Sequence, residues 1–270
     1  MFKYTGEEKS SCGVGFIASK KQEFSHDHLQ AGLKALYCEE HRGACGADQI
    51  TGDGSGIMTD IPWDILGYQP GKVALAFLFT PSEQEQKRIS LKVFRDTFAF
   101  FGLEIIEFRE VPVDTSILGP DALETMPGLV QAIVKRPEYC RTDFSFDKLL
   151  YSAKQRVRIK QKEAGIVRKF FFASLSATTV VYKALTRGND LSKFYLDLQN
   201  PEFKTRFCLF HRRFSTNTRT SWDKAQPFRL IGHNGEINTI AGNRSWGISR
   251  GKSLEIQKDE LLTHKGISDS

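Results

Sequence analysis

Four short groups of residues recur at predicted strand ends, where polar side chains can converge and do chemistry. Cys12 is followed at once by Gly13, and "HRG" occupies positions 41–43. Further along the chain, "HRRFSTNT" spans 211–218 and "HNGE" spans 233–236. Together these groups offer a thiol nucleophile and amide donors that stabilise an oxyanion, whereas the arginines taken alone are most often solvated or salt-bridged.

Cys12 is the candidate nucleophile. If residues 1–11 were removed, Cys12 would be the N-terminal residue and would carry both a thiol and a free α-amino group. An α-amino group has a reference pKa of about 7.7–8.0, so it acts as a base near neutral pH without a separate histidine. Gly13 leaves the thiol open to a substrate. We therefore expect residues 1–11 to be a leader that is cut off between Ser11 and Cys12.

The "HNG" sequence provides the donors that such a nucleophile needs. The side-chain amide of Asn234 and the backbone N–H of Gly235 could both point at the negative charge that develops on the attacked oxygen. Losing one such donor typically lowers the rate by ~10²–10³. Taken alone, however, Asn-Gly is also a common turn, and a lone cysteine is most often a core residue.

Two other kinds of site are disfavoured. The spacing of Cys38, His41, Cys45 and Asp48 matches no strong zinc signature. The loop "GDGSG" (52–56) lacks the third glycine of a dinucleotide loop and the Gly-Lys-Ser/Thr of a P-loop, which argues against phosphate binding.

The composition is that of an ordinary globular protein, with 40% hydrophobic and 26% charged residues in 270. The net charge of +6 is spread along the chain and suits an anionic substrate or an acidic partner. A nucleic-acid binder ranks last, because the basic segment 154–169 lacks interleaved aromatic residues. The first residues contain no apolar run, which argues against a signal peptide, and no stretch is long enough to span a bilayer. Five cysteines without regular spacing indicate free thiols and a cytoplasmic protein.

The elements that must position these groups show in the hydrophobic periodicity. Strands are predicted at 12–18, 72–80, 103–113, 207–216 and 228–237, with a hairpin over 169–185. Helices are predicted at 25–37, 82–101 and 151–165 and from the start of 238–250, and a long loop at 41–56.

Ser25 is the expected N-cap of the first helix, with Leu29, Leu33, Leu36 and Tyr37 on its buried face. Ser82 and Glu85 form a candidate capping box for the second helix. Because helices and strands do not alternate one for one, the expected class is α+β.

Several longer motifs follow one another as in a known family. They are "CGVGFIA" (12–18), "TGDGSGI" (51–57), "SLSATTVVYKAL" (174–185), "FYLDL" (194–198) and "AQPFRLIGHNGEINT" (225–239). From about Cys12 to its last residue the chain resembles the glutaminase domain of glutamate synthase, a class II glutamine amidotransferase and N-terminal-nucleophile hydrolase. The resemblance implies a four-layer αββα sandwich of two antiparallel sheets. It also implies that the domain, residues 12–270, is incomplete at its C-terminus.

The resemblance also implies roles for individual residues. Cys12 would attack the side-chain amide of glutamine with its own α-amine as base, and Asn234 and Gly235 would hold the oxyanion. Arg213 would pair with the substrate α-carboxylate, and Asp269 would accept from the substrate α-ammonium group.

Arg42 would help to place the Cys12 end. Arg212 occupies a position where a small residue is expected; we expect its side chain to point away along the strand, and the alternative is that it crowds the site. No role is evident for Cys45.

The implied partners are L-glutamine and a synthase domain or subunit that aminates 2-oxoglutarate. FMN and an iron–sulfur cluster are expected only in that synthase region, and no cofactor or metal in this chain. Neither a membrane nor a nucleic acid is an expected partner. Two alternatives stay open at this point: an amide acylase on the same scaffold, and a non-catalytic fragment that docks a synthase partner.

Overall fold

Two antiparallel four-stranded sheets form the frame of the chain in the computed structural model, which describes residues 13–166, 169–212, 220–229, 242 and 245–249. The strands are β1 Val14–Ala18, β2 Ser55–Asp60, β3 Val73–Thr80, β4 Ile105–Glu110, β5 Gly128–Lys135, β6 Phe171–Ser176, β7 Thr179–Ala184 and β8 Phe207–His211. The first sheet has the order β1-β8-β2-β7 and the second the order β4-β5-β3-β6. The predicted α+β class with two antiparallel sheets is confirmed.

The predicted hairpin over 169–185 is wrong. β6 pairs with β3 in the second sheet, whereas β7 pairs with β2 in the first. The short link Ala177–Thr178 therefore carries the chain from one sheet to the other. Strand periodicity identified both strands, but it holds no information about which strand each one pairs with.

The helices are α1 His26–Cys38, α2 Trp63–Leu66, α3 Gln84–Phe100, α4 Pro120–Glu124, α5 Asp143–Glu163 and α6 Leu191–Phe194. α1 packs against β1, β8 and β2. Ser25 is its N-cap as predicted, and the Ser25 hydroxyl accepts from the Asp27 N–H at 3.0 Å. The buried face carries Leu29, Leu33 and Leu36. Tyr37 is 55% exposed, so the prediction that it belongs to this face is wrong.

The predicted capping box of α3 is also wrong. The N-cap is Glu83, whose carboxylate accepts from the N–H groups of Glu85 and Gln86. Ser82 lies one residue too early to do so. The helix predicted at 151–165 begins earlier than expected, at Asp143, because Thr142 and Ser145 form a capping box there.

β3 is buried on both faces, which explains its continuous apolar sequence. Its alternate residues Leu75, Phe77 and Phe79 join the core shared with the first sheet. Its other residues, Ala74, Ala76 and Leu78, pack in a second core with side chains of α3 and α5.

A buried polar network joins the two sheets. Gln131 of β5 donates to the hydroxyl of Tyr182 in β7 at 3.0 Å, and that hydroxyl donates to Asp197 at 2.9 Å. Arg109 of β4 donates to the same carboxylate through Nη2 at 2.6 Å and through Nη1 at 2.8 Å. Burial raises the pKa of Tyr182 well above its ordinary value. Asp197 belongs to the "FYLDL" motif, so this motif supports the fold.

Part of the predicted pattern lies beyond the described residues. Most of the strand predicted at 228–237 falls outside them, whereas residues 242 and 245–249, within the helix predicted from 238, are helical. Among the described residues, no helix is long and apolar enough to cross a membrane. Among the described strands, β1 forms an edge of the first sheet, where Val14 and Phe16 are 47% and 77% exposed.

Lys183 of β7 is fully buried. Its Nζ donates to the carbonyl of Asp223 at 2.7 Å and lies 4.8 and 4.4 Å from the ring centres of Phe171 and Phe228. Burial lowers its pKa from the ordinary 10.5 to about 7. The side chain therefore ties β7 to the segment 220–229.

We expect Lys183 to make stability depend on pH between about 7 and 10.5. In this window the unfolded chain holds a proton that the folded chain lacks, so the free energy of unfolding rises with pH, by up to about 1.4 kcal/mol per pH unit. Lys183→Met should lose that rise in urea unfolding at pH 7, 8, 9 and 10. The exposed Lys169→Met is the control and should keep it. An unchanged slope in Lys183→Met would show that Lys183 does not cause the effect.

Candidate functional site

The start of β1 and the end of β8 meet at one end of the first sheet. Val14 pairs with His211, and one step further the Arg212 N–H donates to the carbonyl of Gly13 at 2.7 Å. Because Cys12 directly precedes Gly13, this end of the sheet is where the candidate nucleophile is attached.

Gly13 lies between two arginine side chains. A Cβ atom at this position would be 3.3 Å from the Cβ of Arg42 and 3.5 Å from the Cβ of Arg212. Arg42 is half-buried and ends the 3-10 turn Glu40–Arg42 that follows α1. The structure thus brings Arg42 next to the Cys12 end of β1, while its role in placing that end stays a prediction.

The loop after this turn is folded back on itself. Cys45 forms an isolated bridge with Gly52, and Asp53 donates its N–H to the carbonyl of Ala44 at 3.0 Å. Asp48 accepts from the hydroxyl and the N–H of Thr51 at 2.5 and 2.8 Å, and the hydroxyl contact is the main cause of its lowered pKa. The loop is therefore compact and forms one side of the candidate site. Together with the turn Glu40–Arg42 it is called the 40–54 segment below.

Arg212 is fully buried beneath the 40–54 segment. Its Nε and Nη2 donate to the two carboxylate oxygens of Glu40 at 2.9 and 2.6 Å. Its Nη1 donates to Asp53 at 2.5 Å and to the carbonyl of Gly54 at 3.2 Å. The expectation that this side chain points away along the strand is wrong, because two carboxylates hold it beneath the 40–54 segment.

The pKa values reflect this arrangement. Burial alone would lower the pKa of Arg212, but its contacts with Glu40 and Asp53 outweigh burial and raise it. Burial also disfavours the Glu40 carboxylate, yet Arg212 lowers its pKa below the ordinary value. For Asp53 burial is the larger effect and raises the pKa, although the arginine partly opposes it.

Gly43 is the residue of the 40–54 segment that packs directly against the Arg212 side chain. A Cβ atom at Gly43 would lie 2.0 Å from the Arg212 Cζ, so only glycine leaves room for the guanidinium. This contact gives the glycine of "HRG" a packing role.

The segment 220–229 is anchored over the same sheet. Trp222 donates its indole N–H to the carbonyl of Ala122 at 3.2 Å. A Cβ at Gly56, the residue that pairs with His211, would lie 2.3 Å from the carbonyl oxygen of Gln226. The chain that leads to the "HNGE" motif therefore passes close to the row of residues containing Val14 and His211.

Most of the site residues named from the sequence lie outside the described residues. These are Cys12, Arg213, Asn234, Gly235 and Asp269. Their roles stay predictions. Among the described residues, no group of three or more His, Cys, Asp or Glu side chains could hold a metal ion.

Glu40 and Asp53 are parts of this region that sequence reasoning missed. The available signal was a second arginine, Arg212, directly before Arg213 in a strand-end motif. Such an arginine needs a carboxylate partner if it is buried. Nothing in the sequence spacing indicates that Glu40 and Asp53, far away along the chain, are that partner.

Comparison with known proteins gives the same family as the sequence motifs. A family model described as "Glutamine amidotransferases class-II" matches residues 12–267. The chain is 42% identical over 262 residues to the "Ferredoxin-dependent glutamate synthase, chloroplastic" of Oryza sativa subsp. japonica, which covers 92% of the chain and 16% of that protein. It is 39% identical over 260 residues to "Ferredoxin-dependent glutamate synthase 2" of Synechocystis sp., over 93% of the chain and 16% of that protein. The chain thus spans about a sixth of the length of these relatives.

The contact between Gly43 and Arg212 predicts a stability effect. In Gly43→Ala the added methyl group must displace the buried guanidinium, and we expect a loss of about 1–3 kcal/mol in the free energy of unfolding. Gly46→Ala in the same loop is the matched control, because its nearest neighbour would be 3.4 Å away. Urea unfolding of both variants checks this. Equal stability of the two would contradict the close packing of Gly43 against Arg212.

Proposed function

This chain belongs to the class II glutamine amidotransferases, and we propose from this premise that it hydrolyses the side-chain amide of glutamine with Cys12 as the nucleophile. The observation that carries the proposal is the place of the residue that follows Cys12. The family match begins at residue 12, and Gly13 lies at the end of the first sheet where β1 meets β8, next to Arg42 and Arg212. A cysteine placed directly before Gly13 would therefore lie at the edge of the 40–54 segment.

The proposed reaction proceeds in two steps. The α-amine of a mature Cys12 takes the thiol proton as the sulfur attacks the amide carbon, and the resulting oxyanion is held by Asn234 and Gly235. When the C–N bond breaks, the ammonium form of the α-amine returns the proton to the leaving nitrogen, which departs as ammonia. A water molecule then attacks the thioester, and glutamate is released as the thiol is restored.

Substrate recognition is assigned to charged residues. Arg213 pairs with the α-carboxylate of glutamine through its planar fork, and Asp269 accepts from the α-ammonium group. Arg42 supports the Cys12 end, where its Cβ would lie 3.3 Å from a Cβ atom placed on Gly13. The removal of residues 1–11 is part of the proposal, because only then does Cys12 have a free amine.

We further propose that the ammonia serves a glutamate synthase reaction, the amination of 2-oxoglutarate. The support is that both relatives described above carry that name. FMN and an iron–sulfur cluster would be held by the synthase region. The described cysteines do not fit a cluster, since a cluster takes about four converging cysteine thiolates and no three candidate ligands converge among the described residues. A cytoplasmic location likewise stays a prediction.

The nucleophile can be tested directly. In the full-length protein, Cys12→Ala should abolish glutamine hydrolysis and labelling by a diazo-ketone analogue of glutamine. Cys45→Ala is the control, because this exposed thiol lies in the neighbouring loop and has no role in the proposed chemistry. Intact mass should show that residues 1–11 are absent from the active protein.

Four results would contradict the proposal. Glutamine hydrolysis that persists in Cys12→Ala would exclude this nucleophile. A fully active protein that retains residues 1–11 would exclude the α-amine as base. Hydrolysis of other amides but not of glutamine would favour an acylase, and a protein inactive on all amides would favour a docking role.

The oxyanion assignment gives a separate expectation. Asn234→Ala should lower kcat by ~10²–10³ with little change in KM, because the donor acts on charge that develops in the transition state. Steady-state kinetics with glutamine measures both constants. A raised KM with unchanged kcat would instead assign Asn234 to binding of the ground state.

A further inference from the structure

We propose that Arg212 is a positioning residue for the glutamine-hydrolysing site, through which the 40–54 segment and the start of β1 keep a fixed relative position. This inference rests on the proposed function. It concerns a residue that the chemistry itself does not use, because the Arg212 guanidinium is buried and already bonded to protein groups.

The side chain joins separate parts of the chain. Its fork binds both oxygens of Glu40 in the 3-10 turn, and its remaining donor reaches Asp53 and the carbonyl of Gly54 before β2. Glu40 in turn accepts from the N–H of Gly188 at 2.8 Å, which adds the loop after β7. A planar guanidinium in such a bidentate arrangement fixes orientation as well as distance.

The backbone of the same residue fixes β1. The Arg212 N–H donates to the carbonyl of Gly13, and Gly13 lies between the Cβ atoms of Arg42 and Arg212. Arg42 belongs to the same turn as Glu40. Any movement of Glu40 away from Arg212 would therefore shift Arg42 relative to Gly13 and to the residue before it.

Stability alone does not explain a buried cluster of this kind. A buried ion pair often contributes little net free energy compared with apolar residues of the same size, whereas removal of one partner is strongly destabilising. A misplacement of about 1 Å at a reacting group, by contrast, can lower a rate by about 10²-fold. Positioning is therefore the role that fits a buried arginine at this place.

The chain offers a matched control at the other end of β8. Arg206 precedes β8 and donates to the buried Asp60 through its backbone N–H at 2.8 Å and through Nη2 at 2.7 Å. Asp60 ends β2, and Phe207 pairs with Ala18, the last residue of β1. The two arginines thus hold opposite ends of the same strands, and only Arg212 is at the Cys12 end.

The test compares Arg212→Gln with Arg206→Gln in the full-length protein at a temperature well below both melting temperatures. We expect both variants to melt lower than the wild type. Only Arg212→Gln should lower kcat for glutamine, by about 10–100-fold, with a smaller change in KM. Arg212→Lys should recover part of kcat, because it restores the charge without the fork. If Arg212→Gln does not fold, Glu40→Gln replaces it and should lower kcat in the same way.

Each outcome decides the proposal. A kcat of folded Arg212→Gln, or of its substitute, that stays within twofold of Arg206→Gln would overturn it, because the cluster would then only stabilise the fold. A wild-type protein that neither hydrolyses glutamine nor reacts with the diazo-ketone analogue would overturn the proposed function together with this inference. A wild-type protein that does both, with an unaffected Arg212→Gln, would overturn the inference alone.

Discussion

The pairing of β1 with β8 is the constraint on which the other features of the candidate site depend. Five residue pairs hold the two strands in register, and the ladder continues past Val14 and His211 to the bond between Arg212 and Gly13. Because register fixes which residues face each side, it also directs the Arg212 side chain under the 40–54 segment. The turn and the loop are then held by one buried guanidinium, and the start of β1 is held by the backbone N–H of the same residue.

The two sheets share their core through β7 and β3. Phe77 and Tyr182 meet edge to face with ring centres 5.2 Å apart, and the Tyr182 hydroxyl completes a polar network with Asp197. On the other side of β7, Lys183 is bonded to the segment 220–229. β7 thus contacts both the second sheet and the segment that leads toward "HNGE". The second sheet and the candidate site are therefore connected through this strand.

Local signals in the sequence were sufficient for several elements and insufficient for others. The Ser25 cap, the apolar run of β3 and the α+β class could be predicted, because each depends on neighbouring residues. The cap of α3 at Glu83, the separation of β6 from β7 and the burial of Arg212 could not. Those depend on competing caps or on partners far along the chain. For the site, the motifs identified the family, while the Glu40 and Asp53 carboxylates became visible only in three dimensions.

The position of β1 has one more consequence. Among the described residues, β1 has β8 as its sole partner strand and forms the edge of its sheet. Every described backbone bond that holds β1 in the sheet is therefore made to β8 or to the residues that flank it. The position of Gly13 relative to the 40–54 segment thus depends, among the described strands, on the register of β8 alone.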